Sequence, residues 1–251
     1  MRSGFIAAVI LLISTSAHAE TVKLYAAGSL KAALTEVAKA FEKSSVNAHT
    51  VEITFGPSGL LRERIEKGEP AHVFASADTG HPKRLADQGR TASPVHVFAR
   101  NQLCGLARPG LAVRPDSLLE VLLDPKVRVG TSTPKADPSG DYAFALFAKA
   151  EKIRPGARAT LESRAMPLTG GPTSEKAPPD RNQYAWVVES GKPDLFLTYC
   201  TNAVLANKEV PSLQVVKIGP ELNVGAVYGI VAPNSATAPA ADLVRFILAD
   251  E

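Results

Sequence analysis

"LYAAGSLKAAL", residues 24–34, decides how the chain is built. An apolar strand-like run, "VKLYAA" (22–27), ends in tiny residues, meets a single hydroxyl at Ser29, and gives way to an amphipathic helix. Leu30, Leu34, Val37 and Phe41 recur at 4-3-4 spacing, the stripe of a helix with one buried face. The same switch from strand to helix recurs downstream. "HTVEITFG" (49–56) alternates like a strand and "GLLRERIEKGE" (59–69) reads as a short helix stopped by Gly68. "AHVFASAD" (71–78) is a buried strand followed by the helix "PKRLADQG" (82–89). "VHVFARNQLCGLARPG" (95–110) is an unusually long strand. After it come a helix (116–123), the strand "VRVGTS" (127–132) and the helix "YAFALFAKAEK" (142–152). "PLTGGPTSEKAPPDR" (167–181), rich in Pro and Gly, reads as a surface loop. A helix (182–191), three strands (195–200, 213–218 and 224–233) and a last helix (240–249) complete the pattern.

Strand–helix alternation of this kind predicts an α/β fold with largely parallel sheets. Two series separated by one long strand predict two lobes joined by a hinge, with 224–233 returning beside 95–107. The expected division is a signal segment at 1–19, a first lobe from 20–98 plus 222–251, and a second lobe from 99–221. The signal segment combines Arg2, the apolar run "FIAAVILLI" and the small-x-small sequence Ala17-His18-Ala19, as in a cleavable secretory leader. No later run reaches the roughly 20 apolar residues of a membrane helix. A soluble, exported and periplasmic protein is expected. A net charge of +3, one less without Arg2, is too weak and dispersed for a nucleic-acid partner. Cys104 and Cys200 are the only cysteines, and in an oxidising compartment they are expected to pair. Five scattered histidines offer no zinc spacing, and neither a cofactor nor direct metal ligands are expected.

Ser29 has two readings. It is either an N-cap, or part of an anion site in which unpaired first-turn N–H groups meet an oxyanion that only small residues allow to approach. "TFGPSGLLRERI" (54–65) repeats the arrangement at Ser58, and "TPKADPSGDYAFALF" (133–147) repeats it at Ser139. Ligands of open α/β sheets sit at the carboxyl ends of strands, where all three turns fall. "GPSGL" lacks the second glycine of G-x-S-x-G and no G-K-S/T is present, so a hydrolase elbow and a P-loop are not indicated.

"LYAAGSLKAALTEVAKAFE", "FGPSGLLRERIEKGEPAHVFASAD" and "DLFLTYCTNA" resemble the periplasmic molybdate-binding proteins of ABC importers, which are type II periplasmic solute-binding proteins. The resemblance implies a two-lobed fold, each lobe a mostly parallel sheet flanked by helices, closing on molybdate or tungstate without catalysis. It implies an inner-membrane permease with a cytoplasmic ATPase as partners, and a monomer. By the same resemblance Ser29 and Ser58 bind oxyanion oxygens through hydroxyl and backbone N–H. Ser139 offers a backbone N–H, Tyr199 a hydroxyl, and a last N–H lies near Arg181. Three departures stand out: Arg181 replaces an apolar residue, Asp141 lies beside the third turn, and His72 interrupts "PAHVF". Arg181 is read as pairing with Asp141 at the pocket edge, as touching a ligand oxygen, or as a solvated loop charge. Tyr25, Tyr142, Tyr184 and Trp186 are read as packing, and His81 as a surface turn residue. The alternatives are the same fold holding another anion (sulfate-like, phosphate-like or a small organic acid) and, more distantly, an exported enzyme using Ser58 or Tyr199 as nucleophile.

Overall fold

A computed structural model describes residues 19–44 and 49–249, and the expected signal segment falls almost wholly outside them. The chain runs β1 (Thr21–Ala27), α1 (Lys31–Ser44), β2 (Thr50–Gly56), α2 (Ser58–Glu66), β3 (Val73–Ser76), α3 (Gly80–Asp87) and β4 (His96–Ala107). It continues through α4 (Leu118–Leu123), β5 (Val129–Ser132), α5 (Pro138–Ile153), α6 (Ala157–Arg164), β6 (Met166–Thr169) and α7 (Gln183–Glu189). The last elements are β7 (Leu195–Tyr199), α8 (Cys200–Glu209), β8 (Gln214–Lys217), β9 (Gly225–Val231) and α9 (Ala238–Leu248).

The strands lie in the order β2-β1-β3-β9-β4-β7-β5-β6, with β8 also against β4. β1 pairs parallel with β2 and β3, and β5 pairs parallel with β6 and β7. β9 is antiparallel to both β3 and β4, and β7 and β8 are antiparallel to β4. The sheet is therefore mixed. The long strand β4 divides its partners: His96–Gln102 pairs with β9, whereas Leu103–Ala107 pairs with β7. One strand thus belongs to both lobes, β2-β1-β3-β9 on one side and β7-β5-β6 on the other.

Continuous apolar runs form the inner strands because both of their faces are covered. Val22, Leu24 and Ala26 of β1 and Leu195, Phe196 and Leu197 of β7 are essentially inaccessible. On α1 the buried face is Leu34, Ala38 and Phe41, with Val37 packed at its margin. Phe41 meets Phe246 of α9 edge-on at 5.6 Å, which ties the last helix to the first. Cys104 and Cys200 are joined, with Cα atoms 4.7 Å apart, so the end of β7 is fastened to β4. No helix among the described residues is long and apolar enough to cross a membrane.

Three expectations fail locally. α8 occupies 200–209, where no helix is expected between two strands. α6 and the short strand β6 lie across residues 157–169, the last of these inside the stretch read as loop. His81 sits in α3 rather than in a surface turn, with its Nε2 buried and unpartnered.

Candidate functional site

The turns that carry Ser29, Ser58 and Ser139 follow the carboxyl ends of β1, β2 and β5. After β1 the chain makes a single 3-10 turn, Gly28–Leu30, before α1. Ser29 caps nothing; its Oγ lies 2.9 Å from the hydroxyl of Tyr228 on β9. A Cβ built on Gly28 would meet nothing within 4 Å, so the protein's own packing does not require a glycine there.

Ser58 is the first residue of α2, and its Oγ accepts the Ala77 N–H at 3.1 Å. Tyr199, the last residue of β7, donates its hydroxyl to the Ala77 carbonyl at 3.4 Å. Ser58 and Tyr199 therefore meet at one residue, from opposite lobes. The Tyr199 ring packs at 5.6 Å on Tyr228 and at 6.1 Å on Tyr142, whose hydroxyl accepts the Val227 N–H at 3.3 Å. Asn101 Nδ2 donates to Tyr228 Oη at 3.1 Å and to Thr201 Oγ1 at 2.9 Å. The structure thus brings Ser29, Ser58 and Tyr199 together through Ala77 and a cluster of tyrosines. Burial raises the pKa of Tyr199 well above the ordinary value and pushes that of Tyr228 up to about 12. These hydroxyls remain protonated donors at neutral pH.

The lobes also touch through backbone. Gly59 N, in the first turn of α2, donates to the Ala136 carbonyl at 2.8 Å. The first-turn N–H of α2 that follows Ser58 is in this way occupied by the facing lobe. A Cβ on Gly59 would fall 2.3 Å from the Lys135 oxygen and 2.7 Å from the Ala136 oxygen, so this close approach requires glycine.

At the third turn Ser139 is fully buried in the first turn of α5. Its N–H donates to Asp137 Oδ1 at 3.0 Å, and its Oγ has no partner. Asp137 is the N-cap of α5, followed by Pro138 at the first helical position. Burial pushes the Asp137 carboxyl up to about 6, against the opposing pull of the Ser139 N–H and Ser132. Sequence reasoning passed over Asp137, Tyr228 and Asn101. The "DPSG" N-cap signature was available for the first, and nothing local marks the other two.

Arg181 is a correction. Its Nε lies 2.7 Å from Glu209 and its Nη2 bonds Glu189, so the guanidinium is held between two carboxylates on helices α8 and α7. Asp141 is not its partner; it accepts the Lys135 N–H at 3.0 and 3.1 Å, and burial raises its pKa. The start of α7 caps itself, with Asn182 Oδ1 taking the N–H groups of Tyr184 and Ala185 at 2.9 and 3.1 Å. Tyr25 pairs with Glu69 and Arg64 outside the cleft, and His72 Nδ1 accepts the Lys23 N–H. A depression of about 400 Å³ at the hinge, lined by Arg100, Asn101, Gln102 and Cys200, adjoins the Asn101–Tyr228 contact. Among the described residues no group of three or more His, Cys, Asp or Glu is placed to hold a metal ion.

Known proteins share this architecture. An uncharacterized Pasteurella multocida protein, PM1146, is 38% identical over 215 residues, covering 84% of this chain and 86% of its own. The molybdate-binding protein ModA of Azotobacter vinelandii is 29% identical over 140 residues, 55% of this chain and 54% of its own. The solved periplasmic molybdate-binding protein from Azotobacter vinelandii superposes with a TM-score of 0.68 at 22% identity, over 90% of each chain. The sulfate-binding protein SubI of Mycobacterium tuberculosis superposes with a TM-score of 0.73 at 17% identity, over 92% of this chain and 82% of its own. These superpositions place the two lobes in the type II periplasmic binding protein fold. Residues 22–251 match one family throughout, and the chain belongs to the bacterial extracellular solute-binding proteins.

Proposed function

We propose that this protein is the periplasmic solute-binding component of an ABC importer and that it closes on a small tetrahedral oxyanion, with molybdate or tungstate the first candidates. It would deliver the anion to an inner-membrane permease driven by a cytoplasmic ATPase. The moving parts would be a first lobe of residues 20–98 plus 222–251 and a second of 99–221, acting as a monomer. The observation that carries the reading is the meeting of Ser58 and Tyr199 at Ala77, beside Ser29 and Tyr228, where strands of both lobes end. Serine and tyrosine hydroxyls and helix-start N–H groups are neutral donors, suited to an anion that arrives already charged. The names of the ModA relatives support molybdate.

A second reading keeps the fold and changes the anion, and Asp137 favours it. The N–H expected from Ser139 faces a carboxylate, an acceptor that a fully ionised oxyanion would repel. The enzyme reading gains no support, since the Ser58 and Tyr199 hydroxyls engage the backbone of Ala77 rather than a general base. Isothermal calorimetry of the mature protein with molybdate, tungstate, sulfate, phosphate and small carboxylates tests the proposal. Binding of at least one tetrahedral oxyanion at one site per chain is expected. Binding of carboxylates alone, or of none of the five, refutes it.

A further inference from the structure

The second lobe offers the cleft a helix start that is already engaged. α5 has 16 residues, and a first-turn N–H, that of Ser139, is held 3.0 Å from Asp137 Oδ1. The partnerless, fully buried Ser139 Oγ stands at the same turn, a polar atom left for something the protein does not itself supply. Asp137 cannot easily turn away. A Cβ at Gly170 would lie 2.5 Å from Asp137 Oδ2, so the carboxylate is seated against the backbone that follows β6.

We infer that Asp137 is a specificity-determining residue: the oxyanion is held only with one proton shared between a ligand oxygen and the Asp137 carboxyl group. This rests on the oxyanion reading above. Two facing oxygen acceptors with no hydrogen between them repel, and one proton converts that repulsion into a charge-assisted hydrogen bond. An oxyanion that carries a hydrogen at neutral pH, such as hydrogen phosphate, brings the proton with it. Molybdate and sulfate carry none at that pH, so each must bind together with a proton taken up from water onto Asp137.

The groups that bear on Asp137 come from every element around it. They are Asp141 on α5, Ser132 at the end of β5, Tyr184 on α7, Tyr199 on β7 and Tyr228 on β9. The tyrosines are all raised and stay neutral through pH 8.5. His81, which faces Asp141, is lowered by burial. Asp141 adds a repulsion that raises Asp137 further. Between pH 6.5 and 8.5 the tyrosines keep their protons. The proton taken up on binding is assigned to Asp137 because its carboxylate is the one seated at the Ser139 turn. The Asp137→Asn variant separates it from Asp141, whose pKa burial also raises.

Calorimetry at pH 6.5, 7.5 and 8.5 in two buffers of different ionisation enthalpy tests this with molybdate, sulfate and inorganic phosphate. For the wild type, molybdate affinity should fall about tenfold per pH unit, with one proton taken up per anion. Phosphate affinity should be flat from pH 7.5 to 8.5. In Asp137→Asn the amide oxygen can still accept the Ser139 N–H while its NH2 donates to the ligand. Molybdate affinity should then lose its pH slope, and at pH 8.5 should exceed that of the wild type at least tenfold. Tight wild-type molybdate binding with no pH slope and no proton uptake overturns the inference and leaves the oxyanion reading standing. Failure of all three anions to bind either protein overturns both. The buffer-dependent measurement on the wild type needs no variant to fold.

Discussion

Replacing Gly59 with alanine should hold the two lobes apart. The added Cβ would lie 2.3 Å from the Lys135 oxygen and 2.7 Å from the Ala136 oxygen, both backbone atoms of the facing lobe. Neither can rotate out of the way, so the lobes must separate by about 1 Å to restore ordinary contact. The 2.8 Å bond from Gly59 N to the Ala136 carbonyl would lengthen beyond hydrogen-bonding reach. Losing that bond costs about 1 kcal/mol, and forcing the overlap costs about 1–3 kcal/mol more. Both penalties fall on the contact between the lobes rather than on the helix, because α2 by itself accepts alanine better than glycine. Closed-state binding should therefore weaken by about 2–4 kcal/mol, or roughly 30-fold to several hundredfold. Calorimetry with whichever oxyanion the wild type binds reads the affinity, and ligand-free thermal melting reads the fold. Gly28→Ala is the companion variant, since its Cβ meets no protein atom and should leave melting unchanged. Wild-type affinity in Gly59→Ala would refute the reasoning, as would a loss of ligand-free stability as large as the loss of affinity.

Ser58→Ala strands the buried Ala77 N–H and should lower ligand-free stability by about 1–3 kcal/mol as well as affinity. Ser29→Ala leaves Tyr228 bonded to Asn101, so its effect should appear mainly in calorimetry with the oxyanion and little in urea unfolding. Reducing the Cys104–Cys200 bond frees a loop spanning 96 positions, worth about 4–5 kcal/mol in the chain-entropy picture. Urea midpoints with and without reductant measure it, and thiol counting on unfolded, unreduced protein should find none. Asp194 accepts bonds from Arg128 N, Nε and Nη2 and from Arg108 Nε, and the Arg128 contacts hold its pKa well below the usual carboxylate range. A depressed folded-state pKa gives stability that is present above about pH 4 and lost as pH falls further. Asp194→Asn should cost about 2–3 kcal/mol at pH 7, discounted because both arginines are half exposed, and progressively less as pH falls below about 4 toward the depressed folded-state value, by urea titration at each pH.

The first-lobe elements were legible because each has one buried face written in its spacing. The run 22–27 is apolar because β1 is covered on both sides, and Leu34 and Phe41 repeat at helical intervals. α8 was illegible for the opposite reason. Its sequence, "CTNAVLANKE", buries Asn202 while Val204 and Leu205 are 44% and 38% exposed, so no stripe marks its inner face. α6 buries only Ala157 and Leu161 of its eight residues. β6 carries Pro167 in four residues, which an edge strand tolerates and a sequence reading takes for loop. The antiparallel insertion of β9 between β3 and β4 was anticipated only in its pairing with β4.

The site divides along another line. Helix-start serines announce themselves locally, because a small residue and a hydroxyl at the end of a strand are neighbours in sequence. What each hydroxyl touches does not: Ser29 and Tyr228 are 199 positions apart, and Tyr199 and Ala77 are 122 apart. Arg181 failed for the same reason, since Glu189 and Glu209 claim its charge only once α7 and α8 have packed. Asp137 is the instructive case. Its capping role is local and visible in "DPSG", yet its consequence for a ligand depends on Gly170 behind it and on tyrosines from three other elements. A cap that satisfies a helix N–H with a carboxylate removes from the cleft the donor that a small residue at Ser139 would otherwise present. If that exchange controls selectivity, Asp137→Ser should shift preference toward molybdate over phosphate, because serine still caps α5 but adds no negative charge. Competition calorimetry at pH 7.5 reads the ratio, and a ratio equal to the wild type's would show that the carboxylate serves the helix alone.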